Sequence, residues 1–363
     1  MMQHSFFTSK QILVIDQSSK TGNDRTWCFW EKEPGIFDSI VHHKWSEINF
    51  YAQDFSSKFD ITPYEYKMIR GIDFYNHVLD KAKQQSNIHF LYGNVQSLFN
   101  DLNKAVVTID DKQITADYIF NSIIFKDETN TIKTKSTYYL LQHFKGWLVE
   151  TANDIFNDRV ATFMDFRVSQ QHGTTFIYVL PTAANKALIE YTLFTEKLLD
   201  ANEYDIALNG YLKNFLKTEN YKILETEFGV IPMTNISFSQ GKRNIVSIGT
   251  AGNQTKASSG FTFQFIQKHS DLIIKALVKG KDPHIKNKFL QKRFNIYDKT
   301  LLNILCNKKL GGDKIFTDLF RKNPVQRVFR FLDNETNPVE ELKLLNTVST
   351  TVFLPAAVQE LFR

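Results

Sequence analysis

The sequence predicts an α/β fold: a sheet-and-helix domain of nucleotide-binding type, a β-rich insertion and a helical C-terminal region. Three observations lead there. The short apolar run Ile12-Leu13-Val14-Ile15 closes on Asp16, as does a strand buried on both faces of a parallel sheet. A second apolar run, Ile245 to Ile248, meets the small-residue turn Gly249-Thr250-Ala251-Gly252 and then a long helical pattern. Between the two lies a stretch of β type, Leu140 to Phe194, and beyond Pro283 the pattern is helical to the end. The expected division is 1–136 with 236–283 as a discontinuous nucleotide domain, 137–235 as the β-rich domain and 284–363 as the helical region.

In chain order, a polar loop after Asp16 leads to Asn23 through Trp30, and segments around Ile48 to Ala52 and Phe55 to Ile61 read as strands. A helix is expected from about Asp73 to Gln85, where Phe74, Val78, Leu79 and Ala82 recur at three- and four-residue steps. Ile88 to Leu91, Val95 to Leu98, Ala105 to Ile109 and Tyr118 to Ile124 read as strands, with polar turns between them. In the β-rich stretch the strands are Trp147 to Glu150, Ala161 to Phe166, Phe176 to Leu180 and Ala187 to Phe194. A helix near Tyr204 to Leu216 carries the stripe Ile206, Leu208, Leu212 and Phe215. The helix after the glycine turn, from about Ser259 to Val278, is expected to place Phe261, Phe265, Leu272, Ile273 and Ala276 inward.

Hydrophobic residues are 42% and charged residues 23% of the 363, an ordinary globular composition. No uncharged apolar run reaches the roughly eighteen residues of a spanning helix. The start lacks the basic, apolar and small-residue regions of a signal peptide. Cys28 and Cys306 make no disulfide framework and have no metal-type spacing. These features point to the cytoplasm. The net charge of +5 is mild. Its densest cluster, Lys286, Lys288, Lys292 and Arg293 interleaved with Phe289 and Phe294, reads as a solvated face above a buried stripe. An anionic membrane surface is as good a partner for it as nucleic acid. The load of 32 Phe suits either a wide core or a tunnel for a long hydrocarbon.

Four places offer chemistry. Asp16 stands where the second strand of a dinucleotide fold carries the acid that binds ribose hydroxyls; a turn-forming role explains it equally well. The Gly-x-Gly-x-x-Gly turn that should precede it is missing, since no glycine occurs before Gly22. The turn Gly249 to Gly252, closed by Ser258-Ser259-Gly260 ahead of a helix, lets backbone approach a phosphate or a planar ring. Glu190 shares a strand face with Leu188 and Thr192. Facing an apolar cavity it stays protonated and can act as a general acid; facing solvent it is a cross-strand ion-pair partner. Arg70, before Gly71, can reach a phosphate or pair with a carboxylate. Trp27 and Trp30 read as packing, although aromatic faces also stabilise carbocations.

Several segments, in order, resemble the bacterial lycopene β-cyclase family. They are Asn23-Asp24-Arg25-Thr26-Trp27-Cys28-Phe29-Trp30, Ile69-Arg70-Gly71 with Phe74, and Leu188-Ile189-Glu190-Tyr191-Thr192. Gly229-Val230-Ile231-Pro232-Met233, Gly249 through Gly260, Asn323-Pro324, Arg327-Val328-Phe329 and Phe331-Leu332-Asp333 continue the series. The resemblance runs from about Ile12 to the end and implies a Rossmann-like FAD-binding domain whose first strand and glycine-rich turn are missing. It implies proton-initiated closure of the acyclic ends of lycopene to β-ionone rings, an isomerisation with reduced FAD and no net redox, and NADPH as electron source. Glu190 aligns with the family's functional glutamate, and Tyr191 replaces a second acidic residue. Asp16, Arg70, Gly249, Thr250, Ala251, Gly252, Ser259 and Gly260 are the expected cofactor contacts. A bilayer-dissolved substrate implies peripheral attachment at the inner face of the membrane, with no nucleic-acid partner. A flavoprotein oxidoreductase on the same scaffold, or a non-catalytic carotenoid-binding remnant, are the competing readings.

Overall fold

The structure is a computed structural model and describes residues 1–2, 4–125, 137–285 and 289–362. Its centre is a seven-stranded sheet. In spatial order the strands are β16 (Tyr221–Thr234), β12 (Tyr139–Thr151), β15 (Lys186–Thr195), β14 (Thr174–Ala183), β13 (Val160–Asp165), β4 (Glu47–Ala52) and β5 (Phe55–Asp60). All neighbours are antiparallel except β13 and β4, which run parallel. Because β4 and β5 precede residue 137, the sheet draws strands from both sides of the domain boundary expected there.

Side-chain alternation along the strands gives this sheet two different faces. Ile189, Tyr191 and Leu193 join α2 (Ala201–Asn214), where Tyr204, Leu208, Tyr211 and Leu212 are buried. The expected stripe on α2 is corrected at its ends, since Ile206 is 66% exposed and Phe215 lies at the margin. Two tyrosines take the inward positions because each hydroxyl finds a buried partner. Tyr204 Oη lies 2.6 Å from His143 Nδ1, and Tyr211 Oη donates to Asp165 Oδ2 at 2.7 Å.

On the opposite face Leu188, Tyr178, Leu180 and Phe194 enter a larger core. It is shared with a three-stranded sheet of order β2 (Thr26–Glu31), β6 (Glu65–Arg70), β3 (His43–Trp45) and with the C-terminal helices. These helices are α4 (Phe289–Cys306), α5 (Gly312–Lys322), α6 (Val325–Leu332), α7 (Pro338–Leu345) and α8 (Thr350–Leu361). Trp30 ties the layers together: its ring stacks on Phe329 at 4.5 Å between centroids, and its indole N–H donates to Asp333 at 2.7 Å. Lys286, Lys288 and the side chain of Phe289 lie outside the described residues. Nearby, Phe294 is buried and Arg293 is held by Glu341 at 2.9 Å, the pattern of a polar face over a buried stripe.

The nucleotide-type part is built of smaller sheets. β1 (Ile12–Asp16) pairs in parallel with β7 (Ile88–Tyr92), and β11 (Ile119–Asn121) with β17 (Ile245–Ser247). A hairpin sheet of β8 (Val95–Asp101), β9 (Lys104–Ile109) and β10 (Lys112–Ala116) stands beside them, with α1 (Gly71–Lys83) and α3 (Phe263–Val278). The expectation that β1 is buried on both faces is corrected: Leu13 and Val14 are 40% and 41% exposed. Among the described residues β1 has one strand neighbour, so its apolar side chains stay half in solvent. α3 begins at Phe263 rather than Ser259, because Gly260 takes φ +71° and breaks the helical path. On α3 Leu272 faces outward, while Phe263, His269 and Ile273 are buried.

Candidate active site

Three neighbouring strands place two carboxylates on one rung. Glu190 of β15 and Glu227 of β16 are both paired with Gly146 of β12, one on each side. Residues directly opposite in antiparallel strands point to the same face, so both glutamates project into the larger core, with Tyr178 of β14 next on the rung. Gly146 has no side chain to separate them. A Cβ there would lie 2.9 Å from Glu227 Cγ and 3.1 Å from Leu188 Cδ1, so the Glu227 side chain lies across the glycine.

Each glutamate is anchored by a threonine hydroxyl. Thr192 Oγ1 donates to Glu190 Oε1 at 2.7 Å, and Thr26 Oγ1 donates to Glu227 Oε2 at 2.8 Å. Glu227 Oε1 is buried and has no hydrogen-bond partner among the described residues. Enclosure by protein, then the neighbouring charge of Glu227, push the Glu190 carboxyl up to about 8. Burial also raises Glu227. The pair therefore holds a proton at neutral pH. Glu190 keeps some accessible surface although protein atoms surround it, and of the pair it is Glu227 that lines the neighbouring cavity.

The roof comes from the smaller sheet. Cys28 and Tyr66, with Tyr178 of the large sheet, feel the charge of Glu190, and burial holds all three neutral by driving their thiol and phenol groups well up. A cavity of about 220 Å³ reaches this place, walled by Thr26, Met68, Leu148, Leu188 and Glu227. Arg70 stands on the same wall, its guanidinium held by both oxygens of Asp73 at 2.7 and 2.9 Å.

The other expected contacts lie elsewhere. Asp16 accepts from the Ser18 backbone at 2.9 Å and pairs with Lys20 at 3.2 Å, the turn-forming role weighed for it above. In the turn from Gly249 to Gly252, Gly249 takes φ +61° with Ser122 Cβ and Ile266 Cδ1 3.9 and 4.0 Å from where a Cβ would stand; Thr250 bonds Thr255, and Ala251 and Gly252 are buried. Ser259 Oγ and Gln142 Oε1 are buried without a hydrogen-bond partner, and Gly260 accommodates Gln142, whose Oε1 lies 2.1 Å from where a Cβ would stand. Gln142 and Gly146 sit on one face of β12, four residues apart, which sets this turn roughly 13 Å along the strand from the two glutamates.

Residue types alone did not single out Glu227. The signal was present as Glu225 and Glu227 at alternate positions just before Gly229, but only pairing across β12 brings the second of them beside Glu190. Tyr191, which occupies the place of a second acid in sequence, points to the α2 face with Tyr204. Buried Lys256 was missed as well: it pairs with Asp298 at 2.8 Å and pins the glycine turn to α4.

A family model described as "Lycopene cyclase protein" matches residues 7–357. The chain belongs to the lycopene cyclase family. No curated protein matches it. Among solved structures this family member is similar to a geranylgeranyl bacteriochlorophyll reductase-like protein from Thermoplasma acidophilum, with TM-score 0.58 and 12% identity over 97% of this chain and 92% of that one. It is also similar to p-nitrophenol 4-monooxygenase from Pseudomonas putida, with TM-score 0.57 and 11% identity over 96% and 91%. A third likeness is to Klebsiella pneumoniae HpxO complexed with FAD and uric acid, with TM-score 0.54 and 10% identity over 94% and 97%. At such identities the likeness is one of fold, the mixed α/β architecture with a Rossmann-like part.

For FAD, the described residues suit one half of the molecule and not the other. Near the glycine turn a planar ring would meet the backbone at Gly249, the Ser259 hydroxyl, which has no partner among the described residues, and the first turn of α3, which has no side-chain cap. A diphosphate needs a glycine-rich turn opening a helix behind β1. None is present among the described residues, and the N–H groups of Gly252, Asn253 and Gln254 are spent on carbonyls within their own turn. The diphosphate therefore has no seat in these residues.

Proposed function

We propose that this lycopene cyclase family member is a β-cyclase-type isomerase, closing the acyclic ends of lycopene by protonation from Glu190. The observation that carries the reading is the protonated carboxyl pair on one rung, beside a cavity walled by Met68, Leu148 and Leu188. A carboxyl pushed up to about 8 is a neutral acid at physiological pH, close to the value at which proton transfer is efficient. The terminal double bond of the substrate takes the Glu190 proton and becomes a tertiary cation. The next double bond attacks that cation, and loss of a ring proton leaves the β-ionone end. Tyr66 and Tyr178, which neighbour Glu190, carry aromatic faces of a kind that stabilises a cation without a nucleophile.

Reduced FAD, with NADPH as its electron source, belongs to the proposal through the family resemblance alone. The cavity has room for one end of a long polyene rather than for its length, so the rest of the substrate would remain in the bilayer. Among the described residues no helix is long and apolar enough to cross a membrane. Attachment at the inner face of the membrane is proposed through α8, whose exposed Leu354, Val358 and Leu361 form one stripe ending in Phe362.

The test is conversion of lycopene in vesicles with product mass recorded. Cyclisation leaves the mass unchanged, whereas the oxidoreductase alternative changes it and the binding remnant gives no product. Glu190→Gln should abolish conversion; a variant that still cyclises removes Glu190 from the chemistry.

A further inference from the structure

Glu227 has no assigned role in the proton-donor reading, yet its placement is specific. It borders the cavity, one oxygen is fixed by Thr26, and the other is buried, unpartnered and free to accept. On the rung, Gly146 stands between it and Glu190, with the Leu188 side chain also reaching over the glycine. We propose that Glu227 accepts the ring proton and works with Glu190 as one acid–base pair across Gly146. This rests on the cyclase reading and completes its proton cycle.

The balance closes without any oxidant or reductant. Glu190 Oε–H gives its proton to the CH carbon of the terminal double bond, forming a C–H bond and leaving a carboxylate and a tertiary cation on the dimethyl-bearing carbon. The π pair of the neighbouring double bond forms the ring C–C bond and moves the positive charge into the ring. A ring C–H bond then breaks, its electrons forming the ring double bond, and the proton passes to Glu227 Oε1. Because the two carboxyls share no hydrogen bond among the described residues, a water between them carries the proton from Glu227 back to Glu190 and restores the starting state.

The other groups facing the pair do not serve as acceptor. Burial keeps Cys28, Tyr66 and Tyr178 neutral, with their acidic protons in place. Arg70 and Lys186 on the cavity wall are cations. Asp24 and Glu225 act on Glu227 only through their charge, which raises it further. His42 shares the wall, and burial together with Arg70 lowers its pKa, so its neutral imidazole is the rival acceptor.

Two measurements decide the matter. The first is infrared titration of the protein without substrate. A protonated carboxyl band should disappear near pH 8, lose amplitude in Glu190→Gln while the separate signal of Asp333, raised by burial to about 7, remains, and move to lower pH by about one unit or more in Glu227→Gln, because a like charge has been removed. The second is turnover: Glu227→Gln should lower cyclisation by about 100-fold or more with substrate binding retained, and a larger loss in His42→Asn than in Glu227→Gln would make His42 the acceptor instead. Thr26→Val keeps both carboxylates and should shift the acidic limb of the pH–rate profile to higher pH, since Glu227 loses the hydrogen bond that favours its ionised form. An unmoved band in Glu227→Gln, or full turnover in that variant, overturns the pair. Were the wild type to form no cyclised product, the cyclase reading would fall, and the infrared midpoints would still decide whether the two carboxylates share a proton.

Discussion

Glu190 holds its proton because the folded chain removes water from around it and sets a second carboxylate on the same rung. That arrangement has a cost in stability whose sign follows from the two protonation states. An unfolded glutamate releases its proton near pH ~4.3, whereas the folded one keeps it up to about 8. Through that interval the folded state binds more protons than the unfolded one, so stability falls as pH rises and levels off above 8. Glu190→Gln removes the penalty. We expect denaturant unfolding to show the variant more stable by a few kcal/mol at pH 8 and nearly unchanged at pH 4. A gain of equal size at both pH values would mean that the side chain is not held neutral by its surroundings. The strand face of Glu190 was legible in the alternation of residues 188–192, since a period of two needs no partner strand. Glu227 was not, because its nearness to Glu190 exists only through pairing of both strands with β12.

At the scale of elements, α2 shows what a stripe of aliphatic residues leaves out. Its attachment runs through Tyr204 to His143 and on to Thr195. Thr195 spends its own proton on the Lys197 carbonyl, so it accepts from His143 Nε2–H, and Nδ1 accepts the Tyr204 hydroxyl. That chain needs a neutral imidazole, and burial lowers the His143 pKa to about 4. Being depressed from its unfolded value of ~6.5, this group contributes stability that is full above that pH and lost as pH falls through about 4. Leu208→Ala, at the centre of the α2 contact, should cost about 2–5 kcal/mol in urea unfolding, and a neutral result would show α2 to be loosely docked. For α8 the expectation concerns attachment rather than stability. Leu354→Asp with Val358→Asp should reduce co-sedimentation with anionic vesicles while leaving the circular dichroism unchanged, and retained sedimentation would place the membrane contact elsewhere.

Over the whole molecule, the helical region behaves as part of the core rather than as a cap set upon it. One apolar cluster runs from Trp30 and Tyr66 through Phe163 and Phe176 to Phe316, Phe329 and Ala356. Much of the phenylalanine load noted in the composition is spent here. Phe329, fully buried between Trp30, Tyr64 and Phe163, is the joint. Phe329→Ala should cost about 3–5 kcal/mol and lower the main calorimetric transition, the one that unfolds the large sheet. If only a minor transition moved, residues 284–363 would be a separate folding unit.

By itself the sequence determined the class of the fold, the family, the run of strands and helices, and Glu190 as the candidate acid. These depend on local periodicity and on motif order, which one chain displays without its partners. Tertiary structure decided which face each element buries, where Asp16 and Arg70 spend their charges, and that β1 stays half exposed. It also decided that Glu190 shares its rung with Glu227. The physical reason is the same throughout: a strand's period of two tells which residues share a face, but hydrogen-bonded register tells which residues of different strands meet. Gly146, read in sequence as one glycine among fifteen, is the point where two distant glutamates come together.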